Sequence, residues 1–69
     1  MYVFKTSVSS KEGIQHLTSG LNQLLKGSEW NFDLEDCDNI LRIDSRADIA
    51  ETVIHLLQDQ GFDCKELPD

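Results

Sequence analysis

A chain of 69 residues has room for one hydrophobic core, which excludes a large enzyme scaffold and a second domain within residues 1–69. Six Lys and Arg against thirteen Asp and Glu give a net charge of −7, a sign that repels nucleic-acid phosphates and anionic lipid alike. With 39% hydrophobic and 28% charged residues, the composition is that of a folding chain with a solvated surface rather than a disordered tail.

The first element is a strand. Tyr2, Phe4, Thr6 and Val8 alternate with Val3, Lys5 and Ser7, the period of two that half-buries a β-strand. Ser9, followed three residues later by Glu12, has the spacing of a capping box and predicts a helix start there. Ile14, Leu17, Leu21, Leu24 and Leu25 then fall on one helical stripe, and Gly27 supplies the left-handed residue that ends such a helix. Trp30, Phe32 and Leu34 alternate with Asn31, Asp33 and Glu35; the polar run Asp36-Cys37-Asp38-Asn39 leads on to Ile40–Asp44, where Leu41 and Ile43 share a face. This predicts a β-hairpin. Ser45 with Asp48 marks a second helix start, Ile49, Val53, Leu56 and Leu57 form its stripe, and Gly61 stops it. Phe62, Cys64 and Glu66 alternate with Asp63, Lys65 and Leu67 in a short last strand.

The order β-α-β-β-α-β, with two right-handed crossovers, predicts an α+β fold: a ferredoxin-like sandwich whose four-stranded antiparallel sheet has the order 4-1-3-2. Both helices are expected on one face, burying Phe4, Thr6, Val8, Trp30, Phe32, Leu34, Leu41, Ile43 and Phe62. The other face, with Val3, Lys5, Ser7, Asn31, Asp33, Glu35, Ile40, Arg42, Asp44, Asp63, Lys65 and Leu67, is expected to stay wet. No run approaches the roughly 18 apolar residues of a membrane span, and Met1-Tyr2-Val3-Phe4-Lys5 lacks the basic start and apolar run of a leader. The expected location is the cytoplasm, with Cys37 and Cys64 reduced.

In this topology the chain resembles the heavy-metal-associated domain, the small fold of copper chaperones and of the soluble metal-binding domains of copper-transporting ATPases. That family carries a Met-Thr-Cys-x-x-Cys loop after its first strand, with apolar positions four and eight residues beyond the second cysteine; Gly13, Leu17 and Leu21 keep the spacing here. Val8 stands in the Met position, Ser9 in the Thr position, Ser10 at the first cysteine and Gly13 at the second. Gln60-Gly61-Phe62 is similar to the family's Gly-aromatic segment after the second helix, whose ring lies near the metal loop. The resemblance implies the scaffold without its function. Soft Cu(I) requires thiolate or thioether ligands, and Ser10 with Gly13 offers neither, so no metal is expected at this loop.

Other candidates are weighed by their chemistry. The loop, the hairpin tip with Cys37 and the start of the last strand with Cys64 are expected at one end of the sheet, yet strand spacing of about 4.8 Å separates the fourth strand from the hairpin by roughly 10 Å or more. That exceeds the roughly 7 Å reach of a disulfide. Cys64, in phase with Phe62, reads as a buried hydrophobe; Cys37, among Glu35, Asp36 and Asp38, reads as an unprimed surface thiol. His16 and His55 read as surface residues on different helices. The carboxylates Asp33, Glu35, Asp36 and Asp38 lack the glycine turn and closing Glu of a calcium loop and read as protection of a strand edge. With no cleft in which groups converge, an enzyme is not expected. Ser9, Ser10, Lys11 and Gly13 at a helix N-terminus offer amides, hydroxyls and a cation to an anion or partner. The expected function is a non-enzymatic interaction or regulatory module without a cofactor, a monomer or weak homodimer that meets a protein partner on the open sheet face. The alternatives are a divergent metal-binding or delivery protein using Cys37 or Cys64, and an anion or small-ligand binder at Ser9–Gly13.

Overall fold

The computed structural model describes residues 1–34 and 39–68. The elements run β1 (Tyr2–Thr6), α1 (Lys11–Leu24), β2 (Glu29–Asp33), β3 (Ile40–Asp44), α2 (Ala50–Asp59) and β4 (Cys64–Glu66). The strands form one sheet of order β2-β3-β1-β4, antiparallel at every pairing.

Register decides which side chains meet. Phe4 lies opposite Leu41 and Tyr2 opposite Ile43; Thr6 lies opposite Cys64; Trp30 and Phe32 lie opposite Ile43 and Leu41. Antiparallel partners project to the same side, so these residues share a face. From it Phe4, Leu41, Ile43 and Cys64 join Leu17, Leu21, Leu25, Ile49, Val53 and Leu57 in one core cluster. Each large apolar side chain removed from water contributes about 1.5–3 kcal/mol, and the period of two in the strands and the 3.6-residue stripes in the helices both converge on that cluster.

Four particulars differ from the expectations. Ser9 is not the cap of α1: Ser10 is, its Oγ accepting from the Gly13 amide at 3.2 Å, because the extended backbone of Ser10 sets the first helical residue at Lys11. The Ser9–Glu12 capping box therefore does not form. Nor does α2 start at Ser45; the Ser45 hydroxyl accepts from the Ala47 amide in a local turn, the Tyr2 hydroxyl donates to the Ala47 carbonyl at 2.8 Å, and the helix begins after Ile49, which supplies no side-chain cap. Ile49 anchors this end of the helix by packing into the core instead. Trp30, Phe32, Leu34 and Phe62 are half-buried rather than buried. Trp30 and Phe32 lie on an edge strand, where no further strand covers their outer sides; they meet edge to face with centroids 6.0 Å apart, and the Trp30 indole donates to Asn22 Oδ1, keeping its polar end at the surface. Ile40, expected on the wet face, is only 5% exposed. It sits on an inner strand, with Lys5 and Asp33 as its cross-strand neighbours on the same face.

Both helices end at glycines of positive φ, Gly27 at 83° and Gly61 at 88°. After α2 the Gly61 amide bonds to the Gln58 carbonyl and the Phe62 amide to the Leu57 carbonyl, the paired bonds of a Schellman turn. The turn aims Phe62 back toward the start of α1.

Candidate functional site

The residues singled out from the sequence converge on the pole where β1 passes into α1. Thr6 ends β1 with its hydroxyl donating to the Asn39 carbonyl at 2.7 Å and accepting from the Val8 amide, while its own amide also reaches the Asn39 carbonyl. Ser7 is tied to the residue ahead of β4: its amide donates to the Asp63 carbonyl and its hydroxyl accepts from the Asp63 amide at 2.8 Å. Three connections are thus laced together at one end of the sheet. Val8 drops into the core with no exposed surface, and Ser9, Ser10 and Lys11 stand exposed above it.

Gly13 faces inward. A Cβ on Gly13 would lie 3.1 Å from Val8 Cγ1 and 3.2 Å from Phe62 Cζ, closer than side chains ordinarily approach. Gly13, the position the resemblance aligns with the family's second thiolate, thus lies against an aromatic ring and a valine methyl. Ser10, at the first thiolate position, has its oxygen engaged with the Gly13 amide, and its carbonyl accepts from the Ile14 amide. A hydroxyl in a helix cap and a glycine under a phenyl ring give a soft metal ion no donor, so these residues do not fit the family's metal cargo. The same cap removes the Gly13 amide from the set that would greet an anion, leaving those of Lys11 and Glu12 in the first turn.

Cys64 is a free thiol on the core face, 8% exposed, and burial pushes its pKa up from 9.0 to about 11. At neutral pH its thiolate fraction is therefore about a hundredfold lower than that of an open thiol, and a thiol-selective reagent should modify native Cys64 slowly and the unfolded chain fast. Because the folded state holds the proton more tightly than the unfolded state does, the stability linked to Cys64 is full below pH 9 and falls as pH rises toward about 11. Cys64→Ala should flatten that alkaline limb of a denaturation series, and an unchanged limb would remove Cys64 as its cause.

Cys37, with Glu35, Asp36 and Asp38, lies outside the described residues. His16 and His55 are exposed, on α1 and α2. Among the described residues no group of three or more His, Cys, Asp or Glu is placed to hold a metal ion, and no described helix is long and apolar enough to cross a membrane.

One residue of this pole, Asn39, carries no role in the sequence reading, and one contact, that of Gly13 with Phe62, is only implied there by the family resemblance. Asn39 has φ +50° and offers its carbonyl to both the amide and the hydroxyl of Thr6. Its signal was available, since Asn is the residue other than Gly that most readily adopts the left-handed region. Gly13 as a contact for Phe62 had no local signal, because 49 residues separate the two; the family resemblance alone implied an aromatic ring near this loop. No family model, curated protein or solved structure matches the chain.

Proposed function

We propose that this chain is a non-enzymatic interaction or regulatory module, a ferredoxin-like sandwich related to the heavy-metal-associated domain, with both helices over one sheet face and the other face open to a protein partner. The observation that carries the reading is the Phe62 ring against Gly13: the loop position that would hold a ligand serves packing instead. Ser10 supports it by serving as a helix cap. Cys64, buried and with its pKa pushed up to about 11, offers little thiolate at neutral pH, and the protein is read as a reduced cytoplasmic one.

Titration of the reduced protein with Cu(I) or Zn(II) against a competing chelator tests this reading. The expected result is no stoichiometric uptake at the β1–α1 loop. Uptake that survives Cys37→Ser with Cys64→Ser would overturn it, whereas uptake abolished by those two changes would assign metal binding to the cysteines and replace the interaction module with a divergent metal carrier.

A further inference from the structure

The sheet face away from the core has an ordered charge map. Register places Glu29 directly opposite Asp44 and Lys5 directly opposite Lys65. Side chains so placed stand about 5 Å apart, and like charges there repel. Both pairs fall on the same face, because Val3 and Lys5 oppose Arg42 and Ile40, which in turn oppose Asn31 and Asp33. Glu29 and Asp44 occupy the β2–β3 corner, while Lys5 and Lys65 occupy the diagonal β1–β4 corner. Two strand spacings across and four residues along put the corners about 16 Å apart. Midway between them lie Val3 and Arg42, the latter ion-paired to Asp33 at 3.1 Å.

We propose that this face pairs with a second copy of the same chain. A two-fold axis lying in the plane of the contact, through the Val3–Arg42 centre and perpendicular to the line joining the corners, sets each cationic corner over the partner's anionic corner. One operation satisfies both, as an isologous interface requires. Within the strands of this face Lys5, Arg42 and Lys65 match Glu29, Asp33 and Asp44, and Asp63, opposite Ser7 just ahead of β4, adds one carboxylate, on a chain whose net charge is −7. This face therefore carries a net charge of only −1 among its described residues, so it repels a second copy less than the chain's net charge of −7 would suggest. Lys5 already has an interaction within its own chain, so Lys65 is the cation that chiefly meets the partner; Glu29, Asp44 and Lys65 are all exposed. The anionic corner also borders an open depression of about 590 Å³ lined by Met1, Trp30, Asn31 and Arg42, roomy enough for a lysine side chain.

Four strands by five residues span about 19 × 17 Å, roughly 300 Å² in projection, against about 800 Å² per partner in a stable complex. The pairing is accordingly weak, with Kd in the high micromolar to millimolar range, and sensitive to salt. It rests on the reading above that this face is open to a protein partner and names that partner as a second copy; because it depends on the charges of the sheet and not on the β1–α1 loop, metal titration and self-association fail separately.

The test is NMR of the reduced protein from about 0.05 to 1 mM, a range that brackets such a Kd, with diffusion measured at low salt and again at about 1 M salt, where the Debye length is about 3 Å. Shifts that grow with concentration should cluster at Glu29, Arg42, Asp44 and Lys65 and vanish in high salt. K65E and E29K should each weaken pairing about tenfold, and an equimolar mixture of the two should restore it, because the two reversed charges then face one another across the contact. Concentration-independent spectra, shifts on the helices, or a mixture no better than either variant would overturn the proposal. A face that answers only to an added basic peptide would belong to a foreign partner and overturn it equally.

Discussion

Phe4→Ala should cost about 3–5 kcal/mol, the range for truncating a buried aromatic and leaving its cavity. Phe4 has no exposed surface, lies on an inner strand between Leu41 and Glu66, and belongs to the one core cluster. At roughly 0.05–0.15 kcal/mol per residue a domain of this length is stable by only about 3–10 kcal/mol. The substitution therefore removes a large part of the total, and the expected readout is a denaturation midpoint lowered by half or more, with loss of spectral dispersion in the weaker case. Met1→Ala, at a side chain 69% exposed, should leave the midpoint in place. A loss below about 1 kcal/mol for Phe4→Ala would mean that the core collapses around the gap, beyond what close packing ordinarily permits.

The second large effect is expected at Gly13. Gly13→Leu gains helix propensity of somewhat under 1 kcal/mol but forces a Cβ to 3.1 Å from Val8 and 3.2 Å from Phe62, and overpacking of this kind costs about 1–3 kcal/mol. Val8 has no exposed surface and nowhere to move, whereas Phe62 is half-buried and held by the turn after α2. The net expectation is a loss of about 1–2 kcal/mol. Phe62→Ala should relieve it: the double variant should be less destabilised than the sum of the two singles by about 1 kcal/mol, the coupling expected of residues in contact. Strict additivity in a urea-denaturation cycle would show that the ring does not rest on Gly13, and would remove the main support for the proposed reading that this loop serves packing rather than a ligand.

The architecture was largely legible before any coordinates. Phe4, Thr6, Leu41 and Ile43 read as inward strand positions and Leu17, Leu21, Val53 and Leu57 as helix stripes, and the structure buries all eight; two helices and a four-stranded antiparallel sheet follow from the same periods. Boundaries were less legible. Ser9 and Ser10 carry the same hydroxyl one residue apart, so a capping pattern alone does not choose between them, and Ser45 turned its hydroxyl to a local turn that serves equally well as a cap in sequence. Ile40 misled for a different reason. Alternation assigns a face correctly, but it does not say whether a strand is inner or edge, and Ile40 lies on an inner strand flanked by Lys5 and Asp33.

By itself the sequence determined that no sulfur stands at Ser10 or Gly13, because ligand chemistry is a property of side-chain identity and needs no coordinates. It likewise determined the two periods that build the sheet and helices, which are local. What packs against Gly13, and which charges stand opposite one another, only the tertiary structure decided. Gly13 meets Phe62 across 49 residues, and Lys5 meets Lys65 and Glu29 meets Asp44 through strand register. Register and close contact between distant segments are fixed when the whole core packs at once, and no window of the chain short enough to show a period contains them.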